Sequence, residues 1–157
     1  EKGNNMLKLF LASHGHFASG MKSSIEILAG ANARLTVFDA YINQDSVQQH
    51  LDEFYKDVKE DDQVILLSDL YGGSVNQIMY LYLDKPNTTL IAGVNLALVL
   101  ELSIRESISK EDINRLVEQS REMLRVVEQD KTETKNKEKE KEEGGEDIEG
   151  ELPGLRR

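Results

Sequence analysis

Cysteine is absent from this 157-residue chain, which removes disulfides, thiolate zinc sites, iron–sulfur clusters and cysteine nucleophiles together and fits a reducing compartment. No apolar run approaches the roughly 20 residues needed to span a bilayer, and no apolar stretch with a small-residue cleavage site opens the chain, so a cytoplasmic location is expected. Positive charge is scarce as well: 19 Lys and Arg stand against 29 Asp and Glu, for a formal charge of −10. A general affinity for nucleic acid needs a basic face, so protein partners are expected instead. Residues 131–157 hold seven Lys and Arg and nine Asp and Glu, so this stretch carries −2 and the rest of the chain −8. The acidity therefore belongs to the part expected to fold. Neither a Gly-x-Gly-x-x-Gly nor a P-loop pattern follows the first apolar run, which leaves a nucleotide-binding role without support.

What is present alternates. The length suits one domain with a sizeable core. A short apolar run, Leu7 to Ala12, leads through a Gly-containing turn into a helical stretch from Phe17 to Leu28. Leu35 to Tyr41 is rich in β-formers, and Val47, Leu51, Phe54, Tyr55 and Val58 then share one helix face. Val64 to Leu67 reads as a third strand, after which Ser74 is expected to cap a helix carrying Ile78, Met79 and Leu81 to Leu83. Thr88 to Val94 reads as a fourth strand before an apolar helix, Leu96 to Ile104. Ser109 with Asp112 suggests a capping box, and Ile113, Leu116, Val117, Met123, Leu124 and Val127 form the stripe of a long last helix.

The first, third and fourth runs are nearly continuous apolar stretches rather than alternating ones, as strands of a parallel sheet buried on both faces require. The expected fold is therefore α/β: a doubly wound, mainly parallel four-stranded sheet of order 2-1-3-4, with helices on both faces. Residues 1–5 precede Met6 and read as an N-terminal extension, 6–130 as the domain, and 131–157, with no apolar residue before Ile148, as a charged tail or linker unable to offset its chain entropy.

Two loops carry the chemistry. Ser13-His14-Gly15 lies where the first strand ends, and Asp69-Leu70-Tyr71-Gly72-Gly73-Ser74 at the equivalent end of the third. Either alone is ordinary. With strands 1 and 3 adjacent, however, both border the crevice that opens where connections leave on opposite faces. His14 and Asp69 could then meet as an oriented nucleophile, the carboxylate taking a proton from one ring nitrogen and leaving the other free to attack. Gly72 and Gly73 would let backbone approach an anion, and the first N–H groups of the following helix would point towards it.

In these residues the sequence resembles the A component, or EIIA domain, of the mannose class of bacterial sugar phosphotransferase systems (PTS). The resemblance runs from about Met6 to Asp130 and rests on Ser13-His14-Gly15, on Asp69-x-x-Gly72-Gly73-Ser74 and on Ile91-Ala92-Gly93-Val94-Asn95-Leu96. It implies a phosphocarrier in which His14 takes a phosphoryl group from the carrier protein HPr and passes it to a histidine of the EIIB component, with Asp69 orienting the ring. It also implies that Ser13, Gly72, Gly73 and Ser74 contact the phosphoryl group, and that the protein forms a homodimer whose C-terminal helix packs on the neighbouring chain. No cofactor or metal is called for, and the membrane is met only through the permease. Val75 and Ala97 depart from the family, which often has proline at both places and so fixes the helix starts more firmly.

His16, Tyr71 and Asn95 are candidates for the rim of the site, Asn95 through the resemblance alone. His50, on a polar helix face, is expected to have no role. Two other readings remain open: a carrier domain serving dihydroxyacetone kinase or a regulatory EIIA-like module, and a metal-dependent hydrolase using His14, His16 and Asp69. The glycine after His14 favours transport.

Overall fold

A computed structural model of the chain describes residues 5–31 and 34–130. The elements run β1 (Leu7–His14), α1 (Phe17–Ala29), β2 (Leu35–Ala40), α2 (Val47–Lys56), β3 (Gln63–Ser68), α3 (Ser74–Tyr80), β4 (Thr88–Ala92), α4 (Leu96–Ser103) and α5 (Lys110–Arg121). The four strands form one parallel sheet in the order β2-β1-β3-β4, as the alternation of apolar runs and amphipathic stretches demands. The residues up to Leu124 make one compact unit and those from Arg125 a second, of which residues 125–130 carry no regular secondary structure. Residues 1–4 of the expected extension and the charged stretch 131–157 lie outside the described residues.

Successive side chains of a strand point to opposite faces, and the two faces of this sheet build two separate cores. Leu7, Leu9 and Leu11 of β1 and Ile65 and Leu67 of β3 join Ala18, Met21 and Ile25 of α1, Val99 and Leu102 of α4, and Ile113 and Leu116 of α5. Phe10, Ala12, Val64 and Leu66 point the other way, onto Val47 and Leu51 of α2 and Val75 and Met79 of α3. That double burial is why these strands read as nearly continuous apolar runs rather than as alternating ones.

Helix starts follow local capping chemistry. Ser46 and Gln49 form a reciprocal capping box at α2, Asn95 accepts from Leu98 N at α4, and Ser109 accepts from Asp112 N at α5. At α3 the expectation needs correcting. Gly73 is the N-cap and Ser74 the first helical residue, with no side-chain cap. The helix is also shorter than its apolar residues suggest, because Leu81–Asp84 tighten into a 3-10 turn.

The last helix likewise stops early. It ends at Arg121, and Met123 and Leu124 beyond it are exposed. A helix is sustained mainly by packing its apolar face, and here that face reaches only to Val117 and Ser120. Ile113 and Leu116 are buried in the core of their own chain, whereas Met123 and Leu124 of the same stripe are exposed.

Candidate functional site

β1 continues through Ser13 and His14, which pair with Asp39 and Ala40 of β2, whereas β3 ends at Ser68, opposite Ala12. His14 therefore stands at the carboxyl end of the sheet, on the central strand, and the chain leaving β3 passes beside it. α1 departs to one face and α3 to the other, which makes this the switch point of the fold.

Asp69 Oδ2 lies 2.9 Å from His14 Nδ1 and also 2.9 Å from the His14 backbone nitrogen. One carboxylate oxygen thus fixes both the ring and the backbone that bears it. Because a carboxylate only accepts, the ring proton is assigned to Nδ1, and Nε2 keeps its lone pair. The other carboxylate oxygen, Oδ1, is buried with no hydrogen-bond partner among the described residues, so the interactions of the group concentrate on His14. The two side chains differ in exposure, the imidazole being 42% exposed and the carboxylate 13%. A partner can reach the ring while water is largely kept from its orienting group.

The turn after β3 closes on the ring from the other side. Gly72 adopts φ +75°, a left-handed conformation that glycine tolerates best. The turn packs closely at Gly73, where a Cβ would stand 3.3 Å from Leu70 O and 3.4 Å from His14 Cε1. Ser74 Oγ lies 3.3 Å from His14 Nε2. Tyr41, a residue that sequence reasoning does not single out, approaches from the end of β2: its hydroxyl is 2.5 Å from Ser74 Oγ and its ring centroid 5.3 Å from that of His14. Only the β1–β2 register could have revealed it.

The remaining candidates divide. Ser13 is fully buried, and its hydroxyl accepts from Ala18 N at 2.7 Å and donates to Gly15 O at 3.1 Å. It therefore faces the start of α1, not the His14 ring. Asn95 is occupied too, its amide donating to Ser120 O as its oxygen caps α4, so it ties α4 to α5. Tyr71 is almost wholly exposed beside Gly72. His50 stacks on Phe38 with ring centroids 3.9 Å apart, a packing role.

His16 makes a second imidazole–carboxylate pair, with Nδ1 at 2.9 Å from Asp39 Oδ2. Asp39, also without a signal in the sequence, further accepts from Ser19 N and Ser19 Oγ at the start of α1. Burial raises the pKa of Asp39, but hydrogen bonds from Ser19 and His16 outweigh it and hold the carboxyl below its ordinary value.

A metal-dependent reading needs His14, His16 and Asp69 to converge. His16 is instead turned to Asp39, and among the described residues no group of three or more His, Cys, Asp or Glu could hold a metal ion. No helix among the described residues is long and apolar enough to cross a membrane.

Comparison with known proteins gives a consistent family. The sequence model of the EIIA-man family, described as PTS system fructose IIA component, matches residues 8–121. The PTS system fructose-specific EIIA component of Bacillus subtilis (strain 168) is 27% identical over 112 residues, covering 69% of this chain and 77% of that protein. The mannose/sorbose-specific IIA subunit from Enterococcus faecalis superposes with a TM-score of 0.70 at 20% identity, over 80% of this chain and 98% of the other. The PTS IIA protein associated with the fucose utilization operon from Streptococcus pneumoniae gives a TM-score of 0.65 at 25% identity, over 79% and 95% of the two chains.

Proposed function

This chain belongs to the EIIA-man family of phosphotransferase-system components of sugar uptake, and from that premise we propose that His14 is its phosphorylated residue, charged by phospho-HPr and discharged to a histidine of the EIIB component. The observation that carries the reading is the orientation of one imidazole, with Nδ1 held by Asp69 and Nε2 turned to the Gly73-Ser74 turn.

In the proposed transfer the Nε2 lone pair attacks phosphorus while the bond from phosphorus to HPr breaks and its electron pair leaves with HPr. No proton has to move, because Nδ1 keeps its hydrogen throughout. The ring becomes more positive as the new bond forms, and the Asp69 carboxylate is already in place to stabilise that charge. Hydrogen bonds to charged groups contribute about 1.5–3 kcal/mol each, so positioning by several donors, and not a single contact, supplies most of the effect. Ser74 Oγ and the amide groups opening α3, which have no carbonyl partner within the helix, are the donors for the phosphoryl oxygens. Gly72 and Gly73 admit that approach. Ser13 is given a supporting part, fixing the loop that bears His14.

The reverse attack, by a histidine of EIIB on the same phosphorus, regenerates the starting state. No cofactor enters. In this reading the domain, expected over 6–130, acts as a homodimer in the cytoplasm and meets the membrane only through its permease.

The test is direct. Incubation with the general phosphotransferase enzymes and phosphoenolpyruvate is expected to add one acid-labile, base-stable phosphoryl group. Labelling that persists in His14→Ala would overturn the assignment.

A further inference from the structure

We propose that Tyr41 is a positioning residue for phosphoryl transfer, acting through Ser74 to hold a hydroxyl proton at His14 Nε2. The inference rests on the reading of His14 as the phosphorylated residue.

Asp69 can only accept, so the proton of the neutral imidazole sits on Nδ1, 2.9 Å away, and Nε2 has only a lone pair. Ser74 Oγ, 3.3 Å from Nε2, bonds to it only by donating its single proton. Once that proton is committed, the 2.5 Å contact between Ser74 Oγ and the Tyr41 hydroxyl can form in one direction alone, with Tyr41 donating. The chain of donors therefore runs Tyr41 to Ser74 to His14.

A second, independent observation concerns the backbone. Tyr41 has φ +68°, a left-handed conformation that residues with a Cβ seldom adopt and that tends to mark functional positions. Burial does not impose it, since the residue is 62% exposed. What the conformation achieves is to turn the side chain back over the site, where the phenol ring lies against the imidazole at 5.3 Å and 30°. The end of β2 is also tied to the loop after His14 by the bond from Gly15 N to Ala40 O, 2.8 Å.

Nε2 uses its lone pair when it bonds to phosphorus, and the Ser74 proton is then released towards a phosphoryl oxygen. While Tyr41 donates to Ser74 Oγ, that oxygen stays beside the ring and its proton cannot turn to the phenol. A phenylalanine keeps the ring and the packing but removes this constraint.

The experiment compares wild type, Tyr41→Phe, Ser74→Ala and the double variant, with phospho-HPr as donor and thermal unfolding recorded for each. Tyr41→Phe is expected to lower the maximal transfer rate about tenfold, the size of one hydrogen bond, with KM for HPr within twofold and Tm unchanged. In the Ser74→Ala background the same change should have no further effect, because the relay is already cut. An unaltered rate in Tyr41→Phe, a loss confined to KM, or effects that multiply in the double variant would each overturn the proposal. If wild type is labelled on His14 and Tyr41→Phe behaves as wild type, only this inference fails; if wild type is not labelled on His14, the proposed function fails with it.

Discussion

Two histidines two positions apart are each bonded through Nδ1 to a carboxylate at the same distance, 2.9 Å, yet their surroundings differ. His14 is 42% exposed and His16 76%. Asp69 gives His14 both a ring contact and a backbone contact, whereas Asp39 divides itself between His16 and the start of α1. Above all, the far nitrogen of His14 faces Ser74, with Gly73 and Tyr41 closing on the ring; no such contact is seen for the far nitrogen of His16 among the hydrogen bonds of the described residues. The two pairs thus share a carboxylate behind an imidazole and differ in what faces the far nitrogen. In the proposed function it is the donors facing His14 Nε2, and not the carboxylate alone, that single out the acceptor.

The sharpest way to break the comparison is to exchange the outcomes: His14→Ala should abolish labelling, and His16→Ala should leave its stoichiometry intact. A label retained without His14 and lost without His16 would invert the assignment. Next in size, Asp69→Ala should slow transfer about 10- to 100-fold, the equivalent of one charge-assisted hydrogen bond; a rate equal to wild type removes Asp69 from the mechanism. Gly73→Ala is expected to cost up to about tenfold, since the new Cβ would crowd Leu70 O and touch the imidazole, and small misplacements are expensive in transfer reactions. Phosphorylation kinetics unaffected by that methyl group would show that the close approach is incidental.

The smallest effects fall on the second pair and concern folding. Asp39→Asn should leave transfer within about twofold and cost about 1 kcal/mol of stability, because the amide nitrogen cannot accept from Ser19 Oγ and His16 Nδ1 as the carboxylate does, read by denaturant unfolding. The pH dependence has a definite sign. Asp39 titrates below its ordinary 3.8 in the folded chain, so its contribution is fully present above that value and disappears as pH falls through the lower, folded value. Wild type should therefore lose part of its margin over Asp39→Asn in acid, and parallel curves would show that the carboxylate contributes nothing through its charge.

Much of this site is legible in the sequence, and for an identifiable reason. Ser13-His14-Gly15 and Asp69 to Ser74 sit at the ends of apolar runs, and strand order alone brings such loops together. Roles that depend on which way a side chain turns are not legible. Ser13 and His14 are neighbours in sequence, but strand pleating sends the serine towards α1 and the histidine to the crevice. Asn95, a rim candidate in the sequence, also caps α4 and bonds to Ser120 O. Tyr41 lies 27 positions from His14 and is brought to it by a parallel pairing and a positive φ, neither of which has a clear signal in its own residue type. The last helix reads as longer than it is because Met123, Leu124 and Val127 continue an apolar period, while the core they would cover ends near Val117.

By itself the sequence determined the parallel, doubly covered sheet, because central strands buried on both faces must be mostly apolar, and it determined the pair of loops that such a sheet presents at one end. Tertiary structure decided which hydroxyl, which carboxylate oxygen and which aromatic ring meet the imidazole. Hydrogen bonds act over fractions of an ångström, and those fractions are set by register and backbone torsion, which composition and periodicity do not encode.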